Sequence, residues 1–351
     1  MKLGLSRLLL VLVAGALAIM IGLNVWTRGH GGGARIGGQD APFRPDLIAR
    51  IDSLTIAADL IGTGEVRAVE FHGGFYYLLQ RDQWLRARSG AVEGPFGVGS
   101  VGGPGALQAA ADLVATDTAV FVLDGRARAV LVYDPTGVYR RAIRLGPGLR
   151  FARPEQLLQD GSGRLYITAQ ALLVDSTVWE IRQLTDGEPV VLRMDGADLS
   201  SPFDELRTAV MAGDTILVVS TQGYAARLVH DGRVARIWQR ADPPLYSVPD
   251  TIRRSYATRI SGLDPRMRER IALPAAVPPV RGIGVLPGSK TVVALSRAFG
   301  SVDVEVVDRD GQPVGRVSGR PWPNPVFFPP QRATYLHHEP DRLVVISHVF
   351  H

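Results

Sequence analysis

The chain has 351 residues, 46% of them apolar, a formal net charge of +5, a pI near 9.7 and no cysteine. That length suits one large all-β domain or two ordinary ones, and the lack of cysteine excludes disulfides, a lipid-modified cysteine and Cys-ligated metal. The charge gives no support to nucleic-acid binding, because Lys2, Arg7 and Arg28 flank an acid-free N-terminal segment and leave 36 bases against 34 acids in the rest, with no concentrated basic face of the kind that phosphate recognition needs.

Leu8–Val25 runs eighteen residues without a charge, about 27 Å as a helix, close to the ~30 Å hydrocarbon core of a bilayer. Residues 1–28 therefore read as a signal anchor or signal peptide, and export follows. A cleaved peptide has an apolar stretch of about 7–15 residues and a small-x-small site; the longer run here, followed by Trp26-Thr27-Arg28, favours an uncleaved anchor with the bases in the cytoplasm. The rest then lies outside the cytoplasmic membrane, or is periplasmic or secreted if cleavage occurs. Residues 29–50, with His30-Gly31-Gly32-Gly33 and Gly37-Gly38, read as a flexible tether. Leu54–Ile61 is a lone apolar strand ahead of the first complete repeat, suited to completing the last one.

The repeat is written most clearly in 103–168. Gly103-Pro104-Gly105 recurs as Gly146-Pro147-Gly148, 43 residues on, and each copy leads through an apolar run and a turn into a β-rich run. Repeats of 40 to 50 residues built of short strands mark a β-propeller blade. In the first copy, Ala119–Leu123 and Ala129–Tyr133 have the period-two pattern and residue types of strands. Asp134-Pro135-Thr136-Gly137 has the preferences of a type I turn. Inner turns at His72-Gly73-Gly74, Thr116-Asp117-Thr118, Gly161-Ser162-Gly163, Gly213-Asp214, Pro287-Gly288-Ser289 and Pro340-Asp341 give six blades. The expected fold is all-β: a six-bladed β-propeller of four-stranded antiparallel blades over 51–351, preceded by an N-terminal hydrophobic helix. One spacing is about thirty residues too long, which puts an insertion at 241–281. Within it, Asp264-Pro265 has the form of a helix start, so a short basic helix is expected there.

Several motifs bear on chemistry. Gly97-Val98-Gly99-Ser100-Val101-Gly102 with Asp124 downstream has the spelling of a dinucleotide fingerprint, but no buried strand precedes it and Pro104 interrupts the would-be helix. His337-His338-Glu339, His348 and His351 cluster in sequence, yet adjacent histidines on a strand point to opposite faces. No G-x-S-x-G or H-E-x-x-H is present. Trp84, Trp179 and Trp238 recur on outer strands and read as packing between blades. Glu70, Asp112, Glu155 and Glu205 recur near the innermost strands, with Arg281 at the start of the fifth blade. These could converge at the channel mouth, and Glu70, Asp112, Glu155 and Arg281 are the candidate binding residues.

The phrase D-G-R-A-R-A-V-L-V-Y-D, then P-T-G-V-Y-R-R, over 124–141 resembles the strand-turn-strand phrase of NHL-type six-bladed propellers. So does G-P-G ahead of P-E-Q-L-L-Q-D-G-S-G-R-L-Y-I-T. The chain is similar to exported bacterial propellers of the TolB-like group. Where NHL repeats usually carry Asn then Arg, this chain has Arg128 and Ala129. The resemblance implies the fold and a binding habit without a fixed activity. Gluconolactonase-like relatives hold a divalent cation with Glu, Asn and Asp, whereas the only asparagine beyond the anchor here is Asn324.

The expectation is a non-enzymatic envelope scaffold, probing a protein, peptide or glycan at a channel face, monomeric, without nucleic acid and without a cofactor. The alternative is a metal-assisted lyase or hydrolase in the channel, with calcium or zinc held by acids such as Glu70, Asp112 and Glu155.

Overall fold

The structure is a computed structural model, and it describes residues 35–37 and 41–351 except 62–63, 100–102, 147–151, 173–176, 186–189, 195–205, 212–214, 222–223, 231–232, 241–244, 263, 266–267, 269–272, 274, 277–278, 287–289, 299–300, 318–321 and 324. The apolar segment 1–28, Glu205 and Asn324 lie outside the described residues. Among those described, no helix is long and apolar enough to cross a membrane.

Six antiparallel sheets of four strands are arranged as blades, the fifth with a short extra strand. Blade 1 runs Ala68–His72, Phe75–Leu79, Trp84–Arg88, Ala91–Phe96, and blade 2 runs Ala110–Ala115, Val120–Asp124, Ala129–Tyr133, Tyr139–Arg144. Blade 3 is Ala152–Gln159, Leu165–Leu172, Thr177–Gln183, Val190–Met194, and blade 4 is Leu206–Val210, Ile216–Ser220, Ala225–His230, Arg233–Gln239. Blade 5 is Val280–Val285, Thr291–Ala298, Ser301–Val307, Pro313–Arg316, and blade 6 is Val326–Phe327, Arg332–His338, Arg342–Phe350 with Ile48–Ala57 as its outermost strand. The first strand of each blade packs against the first strand of the next, and that of blade 6 against that of blade 1, so the ring is closed.

Closure is made by the N-terminal strand, which pairs with Arg342–Phe350 from Ile48↔Phe350 to Ala57↔Arg342. It spans Ile48–Ala57, earlier than the Leu54–Ile61 expected, and Ala58–Ile61 turns into a single helical turn. Pairing of chain start with chain end covers what would be the open outer edge of Arg342–Phe350. Arg332 fixes the seam. Its guanidinium bonds Asp52 Oδ2 at 2.8 Å and lies 3.7 Å from the centre of the Phe71 ring, so one side chain ties the closing strand of blade 6 to blade 1.

The core is distributed between blades. Trp84 packs with Leu107, Ala110 and Tyr133 between blades 1 and 2; Trp179 with Leu206, Ile216 and Val218 between blades 3 and 4; Trp238 with Val280, Ile283 and Val307 between blades 4 and 5. A fully buried side chain of this size contributes about 2–3 kcal/mol by area, so the interfaces, more than any one sheet, hold the ring.

One turn is used three times, at the outer hairpins of blades 2 and 5 and the inner hairpin of blade 3. In Asp134-Pro135-Thr136-Gly137, Asp160-Gly161-Ser162-Gly163 and Asp308-Arg309-Asp310-Gly311, the aspartate carboxylate accepts from the backbone N–H two and four residues on. The glycine at the fourth position has φ of 81–86°, which glycine adopts without strain. Hydrogen bonds hold the Asp134 and Asp160 carboxyls down at about 2, although burial pulls Asp160 the other way. A Cβ on Gly137 would stand 2.1 Å from Phe96 of blade 1, and one on Gly311 2.6 Å from Trp238 of blade 4. The outer turn of one blade thus sits against an aromatic of the blade before it.

Of the stretch 29–50 expected as a tether, the described part is docked. Arg35–Gly37 pairs with Leu245–Tyr246 of the insertion, Phe43 bridges Arg316, and Pro45–Leu47 forms a short 3-10 turn. The insertion carries a helix at Asp250–Ile260, ahead of the expected position; at Asp264 one backbone bond is formed, from Arg268 N–H to the Asp264 carbonyl at 2.9 Å. Ile252, Tyr256 and Ile260 make its inward stripe, at helical spacing.

Candidate functional site

The six innermost strands converge on the axis, and register identifies which side chains are equivalent. Bulges fall at Ala111 in blade 2, Glu155 in blade 3 and Arg281 in blade 5. A bulge inserts one residue and moves every later position by one. Asp112, Gln156 and Gly282 are therefore equivalent, and Arg207 occupies the same level in the unbulged strand of blade 4, whereas Glu70 in blade 1 stands one step further along its strand and is a neighbour of Asp112.

The hydrogen bonds show the same ordering. Asp112 Oδ2 accepts from the Leu157 backbone N–H of blade 3 at 2.9 Å, and Gln156 Oε1 accepts from the Thr208 N–H and hydroxyl of blade 4 at 3.2 and 3.0 Å. Each side chain braces the inner strand that follows. Glu70 and Asp112 also accept the N–H of their own next residue, Phe71 at 3.0 Å and Leu113 at 2.9 Å.

Both carboxyls are partly accessible from the channel but walled by protein on every side. Desolvation pushes Glu70 up to about 8, against its backbone bond, and the nearby Asp112 carboxylate adds to the rise. Burial raises Asp112 to about 7, opposed by its two backbone bonds and the Arg207 charge. Near neutral pH the pair holds one to two protons between them, so it can both donate and accept.

Glu155 and Arg281 sit one residue nearer the strand start than this ring. Glu155 pairs with Arg153 at 2.9 Å. Around the same mouth, Arg67 donates to the Ala110 carbonyl at 2.9 Å, and its pKa is lowered by burial and by the neighbouring Arg81 and Arg153 charges. The sequence-derived set thus separates into two levels: Glu70 and Asp112 inside, Glu155 and Arg281 toward the mouth. Gln156 and Arg207 escaped the sequence reading because an even count along the strands ignores the bulges; Gln156, one step after Glu155, was the available signal.

The remaining motifs have structural work to do. Asp124 is fully buried and accepts from four backbone N–H groups, Gln108, Ala109, Arg126 and Ala127, at 2.6–3.1 Å, which leaves it nothing with which to hold a ribose. His337 and His338 are exposed, whereas His348 is buried four pairings away, stacked 4.3 Å from Trp322 and 5.9 Å from Tyr335. Neither ring nitrogen of His348 has a hydrogen-bond partner among the described residues, and burial lowers its pKa to about 4. Among the described residues no group of three or more His, Asp or Glu is placed to hold a metal ion.

The fold and site define a six-bladed β-propeller with a polar channel. No family model and no curated protein matches the chain. Among solved structures, it is similar to virginiamycin B lyase from Staphylococcus aureus, with 10% identity, 85% of this chain and 99% of that one covered, and a TM-score of 0.47. Regucalcin, a calcium-binding protein from Agrobacterium tumefaciens, aligns at 14% identity over 91% and 94% with a TM-score of 0.45. The Cps50 propeller domain of Myceliophteria thermophila aligns at 10% over 84% and 100% with a TM-score of 0.48. At such distances these agree with the architecture and carry nothing about activity.

Proposed function

We propose that this propeller is a non-enzymatic envelope protein, held outside the cytoplasmic membrane by its N-terminal segment, that recognises a polar chain, peptide or glycan, at a channel face. One observation carries the reading. Asp112, Gln156 and Arg207, with Glu70 beside Asp112, gather polar side chains on four consecutive inner strands, and burial raises both carboxyls above the ordinary carboxylate range. Protonated carboxyls and amides suit the neutral donors and acceptors of peptide backbones and sugar hydroxyls. Their connection to neighbouring backbone keeps them rigid, which lowers the ordering cost of binding.

Peptide and glycan arrays probed with the full chain test this. Expected is a ligand whose binding weakens at least tenfold in Glu70→Leu or Asp112→Leu, while Glu70→Gln and Asp112→Asn, which mimic the protonated carboxyls, retain it. Turnover of a lactone or peptidylglycine substrate by the purified protein overturns it. A second reading, a metal-assisted lyase or hydrolase, has one supporting observation: Glu70 and Asp112 are neighbouring carboxyls on inner strands of the channel, both raised above the ordinary carboxylate range by burial. Elemental analysis after incubation with calcium and zinc decides, since absence of a bound ion removes that reading.

A further inference from the structure

The insertion face has a direction relative to the N-terminal segment. Inner strands begin on the face where blade 4 hands over to blade 5 through the insertion, and they end at the turns of the opposite face. Arg35–Gly37, the first described residues, pair with Leu245–Tyr246 of that insertion. From Trp26 at the end of the apolar run to Arg35 is nine residues, at most about 30 Å of extended chain. A chain leaving a bilayer after Leu8–Val25 therefore reaches the propeller at this face.

The insertion is rich in positive charge. Between 250 and 270 the sequence has six arginines against three acids, which exceeds the net charge of everything else after residue 28. On the helix Asp250–Ile260, Tyr256 and Ile260 are buried, while Arg253, Arg254 and Arg259 are exposed, as is Arg268 beyond it. Asp250 is 3.9 Å from Arg253 and itself exposed. Arg67 and Arg81 at the channel mouth are exposed on this face too. On the opposite face the turn aspartates are partnered by arginines, Asp134 by Arg140 at 2.5 Å and Asp160 by Arg164 at 2.7 Å.

We propose that the insertion face is the membrane-facing side of the propeller, and that helix Asp250–Ile260 docks it on anionic lipid headgroups. The proposal rests on the N-terminal segment being a membrane anchor. It assigns the insertion a task and leaves the opposite face, with the turns at Gly74, Gly137 and Gly311, pointing outward to meet ligands. Within a Debye length of about 8 Å, each arginine at an anionic surface contributes roughly fivefold in partitioning.

The lack of native cysteine permits a clean test. A single dye is attached at Ser255→Cys on the helix or at Ser89→Cys on the far face, both exposed serines. The full chain is reconstituted in phosphatidylcholine vesicles with nitroxide-labelled headgroups, with or without phosphatidylglycerol. Expected is strong quenching at position 255 that needs phosphatidylglycerol, little at 89, and loss of the phosphatidylglycerol effect in Arg253→Glu/Arg254→Glu/Arg259→Glu. These are surface changes, and far-UV dichroism confirms that the variant is folded. Equal quenching at both positions, or no response to lipid charge or to the reversal, overturns the docking proposal while co-flotation with vesicles leaves the anchor standing. Failure of the chain to float with vesicles overturns the anchor and this proposal with it.

Discussion

Replacing Arg332 with methionine removes the charge that ties Asp52 to Phe71 while keeping most of the aliphatic stem. Arg332 is 7% exposed and Asp52 one-third exposed, so Asp52 is left partly solvated. The lost charge-assisted hydrogen bond is worth about 1.5–3 kcal/mol, and the contact over Phe71 at 3.7 Å adds about 1 kcal/mol in this desolvated setting. A total near 3 kcal/mol is expected, below the range for breaking a fully buried pair because water reaches Asp52. For a ring of about 300 residues with an unfolding entropy of about 2.1 cal/mol/K per residue, that lowers Tm by about 5 °C. Calorimetry reads the global loss. Hydrogen exchange reads its place: amides of Ile51–Ile56, which pair with Leu343–His348, should exchange faster than those of blade 3. Asp52→Asn should cost less alone, and little more when added to Arg332→Met. A Tm within 1 °C of the parent, or uniform acceleration across all blades, would refute the assignment of the seam to this residue.

Protonating His348 in its apolar stack is unfavourable: its pKa is about 4 in the fold against 6.5 in the unfolded chain. The unfolded state binds the extra proton between those values, so stability is full above pH 6.5 and falls as pH drops toward 4, by up to about 3 kcal/mol; urea midpoints of His348→Phe should lack that acid-side loss. For Glu70, raised from 4.5 to about 8, the sign reverses. The native state holds the proton longer, so stability declines as pH rises from about 4.5 to 8, and a Tm series should be flatter for Glu70→Gln. Gly137 and Gly74 separate backbone strain from packing: both have positive φ, at +86° and +82°, but only Gly137 faces a close neighbour, Phe96. Alanine at Gly74 should cost about 1 kcal/mol, and alanine at Gly137 at least about 2 kcal/mol more in denaturant unfolding.

The architecture was legible because the repeat is carried by residues with one conformational meaning. Asp-x-x-Gly turns need an Asp acceptor and a glycine at positive φ, and the structure forms them as spelled at Asp134, Asp160 and Asp308. Trp84, Trp179 and Trp238 were also readable as packing between blades, although the first two lie on third strands and Trp238 on a fourth. The channel was only half legible. A bulge leaves no mark in composition, so Glu155 and Arg281 looked equivalent to Asp112 when Gln156 and Gly282 are. The dinucleotide spelling around Asp124 was already opposed by Pro104, but the four backbone amides that Asp124 braces were not legible. The helix Asp250–Ile260 lacks a side-chain cap and buries few residues, so its period is weak, and its place is set by what it packs on.

The pairing of Ile48–Ala57 with Arg342–Phe350 has a consequence in time. The ribosome finishes the first of these strands long before the second exists: at 5–20 residues per second, about 15–60 s separate them. During that interval an apolar β-strand has no partner, and the five blades behind it have no roof. Leu54 and Ile56, buried in the finished ring, stay uncovered until Arg342–Phe350 arrives, so the order of synthesis, and not only the free energy of the finished ring, sets how long this strand can meet other chains.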